Sequence, residues 1–104
     1  MELALLRTLM DREFYKAHRN LAKEKIFRSK ETRVIKAVIE KAMQNYENEL
    51  SSSDIEALFW AENPALTTAQ RDIYKSLFTK LHACTPLNDE VTQDVLRELN
   101  EIEL

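Results

Sequence analysis

The feature of this sequence that most constrains its fold is an absence: none of its 104 residues is glycine. Tight hairpin turns and phosphate-binding loops usually need glycine, because the backbone there takes positive φ or comes close to a ligand. Proline, which interrupts helices, occurs only at positions 64 and 86. The composition therefore predicts an all-α protein and argues against a nucleotide-binding loop.

The longest periodic stretch runs from Lys30 to Tyr46 and predicts a central helix. Its apolar side chains recur at steps of three and four residues, which places them on one helical face. The other face carries Lys36, Glu40 and Lys41 and is expected to meet water. Flanking segments must cover the apolar face, so we expect one compact orthogonal bundle of five to six helices. The apolar positions are Val34, Ile35, Val38, Ile39, Ala42, Met43 and Tyr46.

Shorter helices are expected on both sides of this central one. Residues 2–10 and 12–21 have helical spacing, and Ile26 and Phe27 in the connector after them are expected to fill the core. Single-residue N-caps are expected at Asp11, Ser29 and Asn88. Capping boxes, in which two residues three apart bond each other's backbone amide, are predicted for Ser53 with Glu56 and for Thr67 with Gln70. The apolar positions expected after Thr67 are Ile73, Leu77, Phe78 and Leu81.

The last helix is expected to carry a narrow apolar seam with nearly heptad spacing. It is expected either to fold back on the domain or to pack against another chain. We therefore divide the chain into a helical head domain, residues 1–86, and a terminal helix, residues 87–104. The predicted self-association residues are Val91, Val95, Leu99 and Ile102.

Few residues in this sequence suggest catalysis or metal binding. The imidazoles are those of His18 and His82, and Cys84 is the single cysteine. A nucleophile needs a base in hydrogen-bonding reach, and a Cys84–His82 dyad does not fit helical geometry; both are expected simply to finish a helix. We expect no enzymatic activity in this chain, no cofactor and no metal.

Charge is distributed unevenly along the chain. Residues 1–41 hold eleven Lys or Arg against six Asp or Glu, whereas residues 42–104 hold four against twelve. Such asymmetry is typical of an ordinary solvated surface, of a weak nucleic-acid surface on the basic half, or of like subunits that meet through opposite patches. The side chains expected to form a partner or nucleic-acid surface are Arg12, Tyr15, Lys16, Arg19 and Trp60. Among the aromatic residues near the basic set, Tyr15 is the candidate for base stacking, while Phe14 and Phe27 are expected in the core.

Three stretches of this chain follow one another in a distinctive order and spacing. An apolar helix leads through an acidic turn to a phenylalanine in LLRTLMDREF, from Leu5 to Phe14. A phenylalanine precedes a polar turn and a long helix in IFRSKETRVIKAVIEKA, from Ile26 to Ala42. A polar bend opens the next helix in ELSSSDIEALF, from Glu49 to Phe59. In this order the stretches resemble the N-terminal domain of DnaB-type hexameric replicative DNA helicases, particularly the phage, T-even-like branch. Bacterial members usually carry glycines after that helix, and this chain has none.

The resemblance implies a non-catalytic domain that assembles into a collar and docks a primase or helicase loader during DNA replication. The ATP-dependent motor of the family lies in a separate C-terminal domain, so the resemblance implies a fragment of a longer protein. Residues 87–104 would then form the first arm of an interrupted helical hairpin. The alternative is a free-standing helical protein that binds nucleic acid, or a helicase-loading or regulatory adaptor. We expect no membrane partner and a cytoplasmic location, in the bacterial host if the gene is phage-encoded.

Overall fold

A computed structural model describes residues 2–102 of the protein, except for the side chains of Glu24 and Ile102. Within this range the chain is all-helical and contains no strand, which confirms the predicted fold class. The helices are α1 (Glu2–Leu9), α2 (Arg12–His18), α3 (Lys30–Asn45), α4 (Ser52–Glu62), α5 (Thr68–Ala83) and α6 (Asp89–Ile102), with a 3-10 turn at Glu24–Ile26.

The apolar face of α3 lies at the centre of the core. Ile35 and Ile39 on this face have no solvent-accessible surface. Helices α1 and α4 pack against α3, and α5 packs against α1 and α4. The side chains that cover α3 come from both sides of it in the sequence, as predicted, and include Leu5, Leu6, Phe27, Ile55, Phe59 and Phe78.

Three predictions about individual faces are wrong. Tyr46 is 46% exposed because α3 ends at Asn45 and the backbone of Tyr46 is extended. Ile73 is 47% exposed, and the neighbouring Tyr74 is buried in its place. Lys36 is buried rather than solvated: its Nζ pairs with Glu40 and lies 5.9 Å from the centroid of the Phe27 ring. A long lysine stem can cover apolar surface in this way while its ammonium keeps a polar partner.

Most of the predicted caps are confirmed. The side chains of Asp11 and Ser29 accept from the backbone N–H groups of Glu13 and Thr32. The carboxamide oxygen of Asn88 accepts from two N–H groups at the start of α6. Thr67 and Gln70 form the reciprocal capping box of α5.

The capping box predicted for Ser53 and Glu56 is wrong, because the N-cap of α4 is Ser51, two residues earlier. Ser51 Oγ accepts from the N–H of Asp54 at 3.1 Å, and the Asp54 carboxylate accepts from the N–H of Ser51 at 2.9 Å. These bonds lower the pKa of Asp54. Three consecutive serines give the sequence three equivalent N-caps, and Glu56 is used in another contact described below.

The terminal helix α6 folds back on the rest of the domain. Thr92 and Leu96 on its inner face are buried. Thr8 Oγ1 in α1 accepts from the N–H of Leu87 at 2.9 Å, and Asn100 donates to the carbonyl of Leu21 at 2.9 Å. Contacts at both ends therefore fix α6 against the head domain.

We predict that Ser51→Ala destabilises the protein by about 1 kcal/mol, because it removes the acceptor for one unpaired amide of α4. Ser53→Ala is the matched control and should change the free energy of unfolding by less than about 0.5 kcal/mol. Urea denaturation followed by circular dichroism measures both. A larger effect of Ser53→Ala would show that α4 begins where the sequence pattern placed it.

Candidate interaction surfaces

Only some of the residues expected to form a partner or nucleic-acid surface around α2 are exposed. Tyr15 is only 8% exposed and forms part of the core, so the prediction that it stacks on bases is wrong. Lys16 and Arg19 are exposed, as a cationic surface requires. Phe14, expected in the core, is partly buried, and its ring stacks on that of His18 with centroids 6.2 Å apart.

Arg12 holds the end of the central helix through its guanidinium group. Its guanidinium donates to the carbonyls of Met43 at 3.1 Å and Asn48 at 2.9 Å, and also to that of Tyr46. The last carbonyls of a helix lack partners within the helix and lie at its negative end, which favours a cation there. The role of Arg12 is therefore structural.

His18 connects α2 to α6. The imidazole is 3% exposed, and its Nε2 lies 2.7 Å from Oδ1 of Asp89, the first residue of α6. Asp89 itself remains largely exposed. This contact helps to fix the orientation of α6 and hence determines which of its faces meets solvent.

The four predicted self-association residues differ in how far they are exposed to solvent. Val91 is 49% exposed, whereas Val95 and Leu99 are partly buried against the core. The side chain of Ile102 lies outside the described residues. Leu96, between the seam positions, turns fully inward together with Thr92. The apolar seam is thus open to solvent at Val91 and half covered further along.

The outward face of α6 is acidic. Asp89–Ile102 contains five carboxylates and a single cation, Arg97. Four of the carboxylates follow one another at steps of four, four and three residues and therefore lie in one stripe on the helix. We call this set the α6 acidic stripe; its members, all exposed, are Glu90, Asp94, Glu98 and Glu101.

A shallow cationic groove runs along the solvent side of α3. It consists of two adjoining cavities, of about 480 and about 500 Å³, which share Val34 and Ala37 as floor residues. Lys30 and Arg33 line one end, and Lys41 lines the other together with Glu62, its partner at 3.0 Å. We call this feature the α3 groove. It combines an apolar floor with a basic end at Lys30 and Arg33 and an ion pair at the other end.

A polar network that the sequence analysis did not predict joins α4 to α5. Glu56 accepts from the indole N–H of Trp60 at 2.8 Å and contacts His82 Nε2 at 2.5 Å. His82 Nδ1 lies 2.7 Å from the hydroxyl of Ser52. The four-residue spacing of Glu56 and Trp60 could have indicated their contact. Nothing in the sequence pattern indicates that His82 joins them.

This network holds the side chains of Trp60 and His82, and Cys84 lies outside it at the end of α5. Trp60 is partly buried against Phe59 and Phe78, and its N–H is satisfied within α4. Cys84 caps the end of α5 through its backbone N–H, which donates to the carbonyls of Lys80 and Leu81. His82 and Cys84 thus lie at the end of α5, as predicted, and the side-chain contacts of His82 are with α4.

Comparison of the chain with models of protein families, with curated proteins and with solved structures finds no match. Among residues 2–102 there is no group of three or more His, Cys, Asp or Glu side chains arranged to hold a metal ion. None of the helices in that range is long and apolar enough to cross a membrane.

The contacts of Glu56 in this network affect how the stability of the protein depends on pH. Partial burial acts to raise the pKa of Glu56, but the hydrogen bonds from Trp60 and His82 and the positive charge of His82 outweigh it and lower the pKa below 4.5, its ordinary value. A carboxyl whose pKa is lowered in the folded state stabilises the fold fully above its unfolded-state pKa, and this contribution is lost as the pH falls through the folded-state value.

We therefore expect the free energy of unfolding to fall as the pH drops below 4.5, and to fall less steeply in Glu56→Gln. Urea titrations at a series of pH values from neutral to acidic measure the slope. Glu98→Gln, on the exposed face of α6, is the control and should keep the wild-type slope. An unchanged slope in Glu56→Gln would mean that the network does not hold Glu56 ionised.

Proposed function

We propose that this chain is the non-catalytic N-terminal domain of a replicative DNA helicase of the phage branch. In this role it assembles with further copies of itself into a collar and docks a primase or helicase loader during DNA replication. The work of the chain is association, and ATP hydrolysis belongs to a motor domain elsewhere in the same protein. The proposed place of action is the cytoplasm of a bacterial host.

The observation that carries the proposal is the partial exposure of the apolar side chains of α6. It is a two-faced terminal helix held at both ends against the head domain, with Val91 open to solvent and Val95 half covered. Exposed apolar side chains next to a half-covered seam are suited to contact with another chain. Association through α6 would cover this seam without unfolding the head domain.

The placement of the three family-like stretches also supports the proposal. Leu5 to Phe14 spans the junction of α1 and α2, and Ile26 to Ala42 runs from the 3-10 turn into α3. Glu49 to Phe59 covers the bend before α4 and most of α4 itself. Each stretch thus combines a helix start with residues that pack on the central helix, and these are features that specify a fold.

We predict that the chain self-associates with increasing concentration and that Val91→Asp weakens this association at least about tenfold. The reason is that a carboxylate at an apolar contact must lose its hydration. Sedimentation velocity at several concentrations up to about 500 µM, where weak complexes become populated, measures the effect. Gln93→Asp, an exposed position off the seam of the same helix, is the matched control and should behave like wild type. A chain that stays monomeric throughout would contradict the assembly role.

The alternative function as a small nucleic-acid-binding or adaptor protein draws on the exposed Lys16 and Arg19. It would be favoured by salt-sensitive binding to single-stranded DNA that disappears in Lys16→Glu/Arg19→Glu, because phosphate contacts release counterions. Fluorescence anisotropy of a labelled oligonucleotide measures this binding. The helicase proposal instead expects the gene to continue in frame into a domain with a phosphate-binding loop, which sequencing of the locus would show.

A further inference from the structure

We propose that the α3 groove receives the α6 acidic stripe of a second copy of this chain, so that copies join head to tail. This inference rests on the proposed function, since it names the two surfaces through which the chain would self-associate. It assigns different roles to two parts of one molecule: α3 provides the receptor surface and α6 the inserted helix.

The charges of the two surfaces are complementary. Lys30 and Arg33 line one end of the α3 groove, and Lys41, paired at 3.0 Å with Glu62, lines the other. The α6 acidic stripe carries four carboxylates, of which Asp94 has Arg97 as a neighbour at 3.7 Å. Complementary charge fixes the register of an interface and favours its encounter over encounters between like surfaces.

The spacing of the charges also matches. Lys30 and Lys41 are eleven residues apart on α3, and Glu90 and Glu101 are eleven residues apart on α6. At 1.5 Å per helical residue, each pair spans about 16 Å. Two helices side by side can therefore bring both ends of the groove against both ends of the stripe at once.

The helix ends favour an antiparallel arrangement. Lys30 is the first residue of α3, and Glu101 lies in the last turn of α6. Antiparallel docking places Lys30 beside Glu101 and Lys41 beside Glu90. It also places the positive end of α3 beside the negative end of α6, an arrangement that the helix dipoles favour.

The apolar parts of the two surfaces can meet between the charged ends. The floor of the α3 groove contains Val34 and Ala37. Val91 and Val95 flank the α6 acidic stripe on one side, because they follow Glu90 and Asp94 directly in the sequence. The groove floor therefore offers Val91 an apolar surface, and burial of these groups would contribute to association.

The alternative contact, a symmetric pairing of two α6 helices, is opposed by charge. It would place two copies of the α6 acidic stripe side by side, and like charges at an interface repel. In a chain of copies joined groove to stripe, the first copy has a free α3 groove and the last copy has a free α6. Such contacts produce rings when the rotation closes and filaments when it does not.

Charge reversal tests this inference with one variant on each surface. The groove variant is Lys30→Glu/Lys41→Glu, and the stripe variant is Glu90→Lys/Glu101→Lys. Each variant alone should raise the dissociation constant at least about tenfold in sedimentation velocity, because attraction becomes repulsion at both ends. A mixture of the two variants should form heterodimers with nearly wild-type affinity, because the unchanged groove of the stripe variant can bind the unchanged stripe of the groove variant.

The control is Lys75→Glu/Lys80→Glu, which reverses two exposed lysines on α5 and should associate like wild type. Circular dichroism melting of every variant verifies folding, and Lys30→Glu is expected to be well tolerated because an acid suits the start of a helix. If Lys41→Glu destabilises the protein through its neighbour Glu62, Lys41→Gln replaces it in the groove variant.

The outcomes separate this inference from the proposed function. Restoration in the mixture supports head-to-tail docking. Self-association that Val91→Asp weakens but the charge variants do not would overturn the inference and favour the symmetric pairing of α6, while the assembly role stands. A wild-type chain that never self-associates would overturn both.

Discussion

Burial of the apolar face of α3 is the interaction on which the other helices depend. Ile35 and Ile39 lose all contact with water only because α1 covers them from one side of the sequence and α4 from the other. Both helices also pack against α5, so their positions are set by α3 and α5 together. The same burial determines which residues of α3 stay exposed. Because α1 and α4 cover one face, the opposite face meets solvent and forms the α3 groove.

The position of α6 depends on a smaller set of directed polar contacts. His18 meets Asp89 at the start of the helix, Thr8 accepts from the backbone just before it, and Asn100 donates near its end. Hydrogen bonds fix rotation about the helix axis more tightly than apolar packing, because their geometry is directional. Leu96 therefore turns inward and the acidic side chains turn outward. The proposed interface is a consequence of how these contacts orient one helix.

The parts of the fold that the sequence could predict are those set by neighbouring residues. Helical periodicity located α3, and the Thr67–Gln70 box needed only a three-residue spacing. The predicted N-cap of α4 was wrong because the sequence has three consecutive serines that could each serve as the cap. The spacing favours Ser53, whereas the structure uses Ser51. The sequence pattern also failed in α2 because a seven-residue helix has too few turns to define its buried face, so Tyr15 was placed outside. Contacts between distant residues have no local pattern at all.

Hydrogen–deuterium exchange at low and high protein concentration shows whether the α3 groove and α6 are the surfaces that join copies of the chain. The backbone amides of the buried residues of α3 should exchange most slowly at every concentration. When the protein is concentrated, peptides covering residues 30–41 and 90–101 are expected to gain protection together, while those covering α5 do not change. Gain of protection in α6 alone, or in neither segment, would contradict this expectation.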